Sequence, residues 1–341
     1  MSNQVDRVLV TGASGFIAKH IVLQLLEEGY AVRGTVRSTE AQASVISSIG
    51  GQGVSTGRFD LVRADLTRDE GWDAAMDGCR FVVHTASPFP ASLPKDKFAL
   101  VPIAQGGAVR VLGAATRAGV ERVVMTSSVA AVYYGHAPSE GRIFGEADFS
   151  DTGADSISAY AVSKTMAELA AWEAVAGQAL ELSVINPALV LGPLLDRSFG
   201  TSAGLVRSMM RGRLPLIPDI AFGIVDVRDV ALAHVRAMTA PEAAGRRFIL
   251  SGGLLSLSDI ARIIRAAYPA LSWKLPLATL PKWVIIAAAI GSSSAAQILP
   301  EVGPLKHLDV DPAKTILRVV FRSPETAVEA LAASLFSHRL C

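Results

Sequence analysis

A doubly wound α/β fold, a parallel sheet covered by helices on both faces, is what three observations predict. Short apolar β-rich runs alternate with helix-period stretches over the first 190 residues. A glycine-bearing turn, TGASGFIA from Thr11 to Ala18, joins the first of those strands to the first helix. Half of the 341 residues are apolar, enough to bury a large core.

The run 7–11 reads as a buried strand, followed by a turn and a helix over 15–28, where Ile17, Ile21 and Leu25 recur at helical spacing. Further β-rich runs lie at 31–36, 59–63, 81–85, 122–126 and 180–186, with helical stretches such as 100–118 and 159–176 between them. Strands in that rhythm pair in parallel, and the ligand crevice of such a sheet lies at the carboxyl ends of its strands. After Asn186-Pro187 the alternation breaks, with Gly192-Pro193, Gly200 and the prolines of 215–218. The runs 222–226 and 248–250 still read as strands, so the chain is expected to return to the sheet near 222–228 and 246–252. Residues 1–190 are expected to form the cofactor-binding domain, and 191–341 mainly a smaller substrate-binding lobe. In that lobe the pair Ser258-Asp259 is a good start for a helix over 260–267. The stretch 283–290 is too short to span a bilayer and is expected to be a buried helix, with a membrane-surface or dimer contact as the alternative.

Lys and Arg number 32 against 31 Asp and Glu, so no strong basic field exists to attract nucleic acid or an acidic membrane. The partner expected is a small molecule. Two cysteines, Cys79 and Cys341, make no disulfide framework, and no metal-ligand spacing surrounds them. With no export signal at the first residues, a reducing cytoplasm is the expected location.

Two motifs carry chemistry. In the first, Gly12 permits a tight turn after the strand, Gly15 lets backbone N–H groups approach a phosphate at the positive end of the helix, and Ala18 allows close helix–strand packing. An acid at the end of the second strand would accept from an adenosine ribose hydroxyl; this chain has Arg37 there, which suits a 2′-phosphate and therefore NADP(H). Arg33 shares its strand parity but lies further back. Asp65-Leu66, ending the third strand, either borders the adenine or caps a helix.

The second motif is Tyr160-Ala-Val-Ser-Lys164, which puts a phenol and an ammonium one helical turn apart on one face. A nearby ammonium favours the phenolate and is expected to bring the phenol toward a working acid–base range. Ser127-Ser128 ends an earlier strand at the same crevice edge, where Ser128 can donate to a substrate carbonyl oxygen. Together these residues describe hydride transfer.

With TGASGFIA, Arg37, the stretch His84-Thr-Ala-Ser-Pro-Phe89, Thr126-Ser-Ser128, Tyr160-Ala-Val-Ser-Lys164 and the stretch from Asn186-Pro187 to Gly192-Pro193, the chain resembles the extended short-chain dehydrogenase/reductases. Within them it is most similar to the branch of dihydroflavonol 4-reductases and methylglyoxal/aldehyde reductases. The resemblance runs from Val8 to about Leu250 and implies a Rossmann-type sheet. It implies Ser128, Tyr160 and Lys164 as the catalytic set, with Lys164 also holding the nicotinamide ribose. Cofactor contacts implied are Gly12, Ala13, Ser14, Gly15, Phe16, Ile17, Arg37, Asp65, Leu66, Val190 and Ser202, with Ala86 and Ser87 along the central part. Phe89 and Tyr133 fall where such enzymes line the substrate pocket, and no metal is implied.

Two departures stand out. Gln105 lies where the family often has an Asn that assists a proton relay, and Ala41 where NADP enzymes place a second base. The function expected is NADPH-dependent reduction of an aldehyde or ketone, apolar or aromatic because Pro88, Phe89 and Tyr133 would wall the pocket, by a monomer or homodimer. A nucleotide-sugar epimerase or dehydratase using Arg207, Arg211 and Arg213, and a nonenzymatic NADP sensor, are the alternatives. A CoA-thioester reductase is disfavoured because no Cys-Tyr pattern surrounds Tyr160.

Overall fold

The computed structural model describes residues 5–87, 94, 96–136, 141–155, 157–291, 301–302 and 305–341. The first strand, β1 (Arg7–Thr11), leads into α1 (Phe16–Glu27), and the alternation continues through β2 (Ala31–Val36), α2 (Thr39–Gly50), β3 (Phe59–Arg63), α3 (Trp72–Met76) and β4 (Phe81–His84). Then come α4 (Val101–Arg117), β5 (Arg122–Thr126), the two-residue β6 (Ile143–Phe144), α5 (Ala159–Val175) and β7 (Glu181–Pro187). The expected strands and helices of this half are found within a residue or two at each end.

Alternation of side chains explains the layers. Val8 and Val10 of β1 pack with Ile21 and Leu25 of α1 on one face of the sheet, whereas Leu9 packs with Val111, Leu112 and Ala171 of α4 and α5 on the other. Both faces being covered, the central strands are mostly apolar, and the strands pair in parallel. The sheet has seven strands in the order β11-β7-β5-β4-β1-β2-β3, where β11 is Arg247–Leu250. Its winding reverses between β1 and β4, so the crevice opens where Gly12 and Ala86 leave those two strands.

Beyond β7 the chain forms β8 (Leu189–Leu191), α6 (Thr201–Met210), β9 (Leu216–Pro218), β10 (Ala221–Asp226), α7 (Val227–Thr239), β12 (Gly253–Ser256) and α8 (Leu257–Ala267). The return at 246–252 is found in β11, but the one expected at 222–228 is not. Strand β10 pairs in parallel with β8 and antiparallel with β12, making a separate three-stranded sheet. The outer edge of β7 is already taken by β11, which leaves β10 no ladder to join there. The small sheet, α6, α8 and the C-terminal helix Pro324–Ser337 share a core of their own that includes Leu191, Val206, Ile224, Ile260 and Leu331.

Two local expectations need correction. Helix α8 starts at Leu257 rather than 260, because Ser256 is its cap: its Oγ accepts from Asp259 N at 3.0 Å while Asp259 accepts from Ser256 N at 3.1 Å. The helix Lys282–Gly291 is not buried as a whole, since Ile285 is 5% exposed but Trp283 is 71% exposed. No described helix is long and apolar enough to cross a membrane.

Candidate active site

At the end of β1 the backbone of Gly12 takes φ +68°, and a Cβ there would stand 3.1 Å from Ala86 Cα. Only glycine lets the turn lie this close to β4. Thr35 holds the turn from the next strand, its hydroxyl accepting from Gly12 N at 3.0 Å and its carbonyl from Ala13 N at 2.9 Å. Gly15 caps α1 without any side-chain hydrogen bond, so the N–H groups of Phe16 and Ile17, which line the cavity, have no intrahelical acceptor. Ala13 departs from expectation. It is fully buried, off the cavity wall, and its N–H is already used.

A cavity of about 1060 Å³ begins at this turn. Its walls include every other expected cofactor residue: Gly12, Ser14, Gly15, Phe16, Ile17, Arg37, Asp65, Leu66, Ala86, Ser87, Val190 and Ser202. Arg37 and Arg33 divide sharply. Arg33 is committed to structure, donating to Asp60 at 2.8 Å and to the carbonyls of Ala74 and Asp77, both at 3.0 Å. Arg37 is exposed and, among the described residues, forms no ion pair. Asp65 lines the cavity but caps no described helix, since Gly71 is the N-cap of α3; its carboxylate accepts from the N–H and hydroxyl of Thr67, which hold it below the usual carboxylate range.

Ser128, Tyr160 and Lys164 line the same cavity. Ser158 caps α5, accepting from Ala161 N at 3.2 Å, and so fixes the first turn that carries Tyr160. Ser128 Oγ accepts from Ala130 N at 3.1 Å, which leaves its own O–H to donate to the Tyr160 phenol. Burial pushes the Tyr160 hydroxyl above its ordinary value, and the Ser128 bond only partly opposes this. Sequence reasoning expected Lys164 to bring the phenol down; in this structure burial prevails, and Tyr160 is a neutral phenol holding its proton. Burial also lowers Lys164 to about 8, against the opposing pull of Glu168.

Other expected residues are placed differently. Gln105 is not among the residues lining the cavity and donates to Met166 O at 3.4 Å. Tyr133 is on the cavity wall; Pro88 and Phe89 lie outside the described residues. Arg207, Arg211 and Arg213 are off the wall, and Arg207 is spent on Leu340 O at 2.8 Å.

Sequence reasoning missed the second lobe's contribution. Phe199, Ile220, Phe222 and Glu301 line the cavity from that side. The Glu301 carboxylate pairs with Lys306 at 2.6 Å and accepts from the Tyr134 hydroxyl, while the Lys306 ammonium sits 4.8 Å from the centre of the Tyr133 ring. Lys306 itself also lines a different cavity. Also unforeseen is the Thr11–His84 pair: Thr11 Oγ1 accepts from Ala86 N at 3.0 Å and lies 2.8 Å from His84 Nδ1, locking β1 to β4 under the cofactor turn. Among the described residues no cluster of His, Cys, Asp or Glu can hold a metal.

Known proteins resemble this arrangement along most of the chain. The model of the NAD dependent epimerase/dehydratase family matches residues 8–250. Cinnamoyl-CoA reductase CAD2 of Medicago truncatula is 37% identical over 79% of this chain and 83% of its own length. The NADPH-dependent methylglyoxal reductase GRE2 of Saccharomyces cerevisiae is 33% identical over 79% of this chain and 85% of its own. In structure, yeast methylglyoxal/isovaleraldehyde reductase Gre2 complexed with NADPH superimposes with a TM-score of 0.81 at 29% identity, covering 98% of this chain and 100% of that one. The resemblance drawn from the motifs to extended short-chain dehydrogenase/reductases is borne out by these matches: the chain belongs to the NAD dependent epimerase/dehydratase family.

Proposed function

We propose that this chain is an NADPH-dependent carbonyl reductase that converts an aldehyde or ketone to the alcohol. One observation carries the reading: a single cavity is lined both by the glycine turn and Arg37 and by Ser128, Tyr160 and Lys164. The open N–H groups of Phe16 and Ile17 fit a pyrophosphate, and the uncommitted Arg37 fits a 2′-phosphate. When bound, the nicotinamide supplies a hydride. Lys164 holds the neighbouring ribose by its ammonium, and Ser128 orients the carbonyl oxygen by its O–H. Tyr160, kept protonated by burial, gives its phenolic proton to that oxygen as negative charge develops, because the forming alkoxide is the stronger base. One proton from solvent then restores the phenol.

Phe199, Ile220, Phe222 and Tyr133 suit an apolar or aromatic carbonyl compound. A second reading, reduction of an aryl CoA thioester, is favoured by the likeness to cinnamoyl-CoA reductases, despite the missing Cys-Tyr pattern. Sugar-diphosphate chemistry is disfavoured because, among the described residues, Arg207, Arg211 and Arg213 lie off the wall. The test is NADPH oxidation with aryl aldehydes, hydrophobic ketones, cinnamoyl-CoA and a UDP-sugar, each with the parent protein and Tyr160→Phe. Aldehyde or ketone turnover abolished in Tyr160→Phe is the expected result. Turnover of the UDP-sugar alone, or full activity in Tyr160→Phe, overturns it.

A further inference from the structure

Helix α5 carries a third chemistry-bearing residue in step with the first two. Tyr160, Lys164 and Glu168 follow at four-residue intervals and therefore share a face. Glu168 is fully buried, and both carboxylate oxygens are occupied. Ser127 donates its hydroxyl to Oε2 at 2.6 Å, and Asn186 donates its amide to the same oxygen at 2.9 Å. Arg247 of β11 closes an ion pair with Oε1, to which Trp172 also donates at 3.5 Å.

These bonds converge on the catalytic strand end. The Asn186 amide that binds Glu168 also donates to Ser128 O at 3.1 Å, so Glu168 grips Ser127 by its side chain and Ser128 by its main chain through Asn186. We propose that Glu168 is a positioning residue of this active site, fixing the serine pair from behind and keeping the neighbouring Lys164 a cation. The proposal rests on the carbonyl reductase reading above.

A buried ion pair alone contributes little to stability, and hydrophobic residues of the same volume would serve as well. What hydrophobic residues would not provide is a fixed negative charge one turn from a buried ammonium. The charged groups around Lys164 leave that task to Glu168. On α5 the other neighbour is the neutral Tyr160; from β4, His84 faces it and is kept neutral, lowered to about 3 by burial and by Lys164 itself. From β11 comes Arg247, acting through Glu168, and on the packed helix α4 the arginines Arg110 and Arg117 are tied to Asp69 and Asp73. Lys164 already titrates near 8, so a modest further fall would discharge it in the working pH range.

The test is the pH profile of kcat/KM in three variants checked for folding by circular dichroism. Glu168→Gln removes the charge, and its basic limb should move to lower pH by about one unit. Arg247→Met strips the neutralising partner, and the limb should move the other way. Glu168→Asp keeps the charge on a shorter stem that releases Ser127, so kcat should fall several-fold with the limb unmoved. A purely structural role would change melting temperature and expression in all three but shift no limb. Superimposable profiles in the variants that fold overturn the proposal. Should Glu168→Gln fail to fold, the opposite shift in Arg247→Met and the fixed limb of Glu168→Asp still decide it. Tyr160→Phe is run alongside: activity retained there refutes the catalytic assignment itself, whereas an inactive Tyr160→Phe with unshifted profiles refutes only the role of Glu168.

Discussion

Replacing Arg37 by Ala removes a strand-end cation that is exposed, on the cavity wall and, among the described residues, in no ion pair, while Arg33, four residues earlier, stays locked on Asp60 and three carbonyls. Hydrogen bonds to a charged partner contribute about 1.5–3 kcal/mol. Because Arg37 faces solvent, screening puts its contact with a 2′-phosphate at the low end, about 1.5 kcal/mol, or roughly tenfold in an equilibrium constant. The KM for NADPH should therefore rise about tenfold in Arg37→Ala, with the KM for NADH nearly unchanged. Steady-state kinetics with both cofactors at fixed aldehyde measure this, and the parent's NADPH KM should rise with added salt. Arg33→Ala is the control, expected to lower the melting temperature and leave the cofactor ratio alone. An unchanged NADPH KM in Arg37→Ala, or an equal rise for both cofactors, refutes the assignment.

Gln105→Ala should leave turnover and its pH dependence nearly unaltered, since the amide is spent on Met166 O; a several-fold fall in kcat would return Gln105 to the relay. Gly12→Ala forces a side chain into a positive-φ turn against Ala86, costing about 1–2 kcal/mol, and should weaken NADPH binding several-fold in a fluorescence titration. Tight binding in that variant would mean the turn does not cradle the cofactor. Stability should depend on acid: burial lowers His20 and His234 to about 4 and His84 to about 3. The unfolded chain, with histidines near 6.5, takes up these protons first, so stability is complete above that pH and is lost as pH falls toward 4. Near pH 5 three such groups give a slope of about 4 kcal/mol per pH unit, and a urea midpoint that stays flat from pH 7 to 5 would contradict it.

The chemistry was legible where it is local. A strand, a glycine turn and a helix lie within 21 residues of β1 and α1, and Tyr160 and Lys164 share one turn of one helix, so spacing alone brings their partners together. Residues whose roles depend on distant contacts were not legible. Glu168 looks like any helix acid until Ser127, Asn186 and Arg247 arrive from β5, β7 and β11. Likewise β10 has the composition of a sheet strand, and only the competition of β11 for the edge of β7 decides which sheet it enters. Gln105 misled for the opposite reason: its chemistry is right, but the packing of α4 on α5 aims it at a carbonyl.

The small sheet has a consequence for anyone who wishes to change what this protein accepts. Tyr160 and Lys164 lie on α5 and the Gly12 turn follows β1 of the seven-stranded sheet, whereas Phe199, Ile220, Phe222 and Glu301 come from segments that do not belong to that sheet. A library confined to those four positions would redraw the substrate wall without disturbing Tyr160, Lys164 or the turn at Gly12. Acceptance of bulkier or charged compounds is thus evolvable separately from turnover, and laboratory selection can start at Phe222 and Glu301 with the catalytic half held constant.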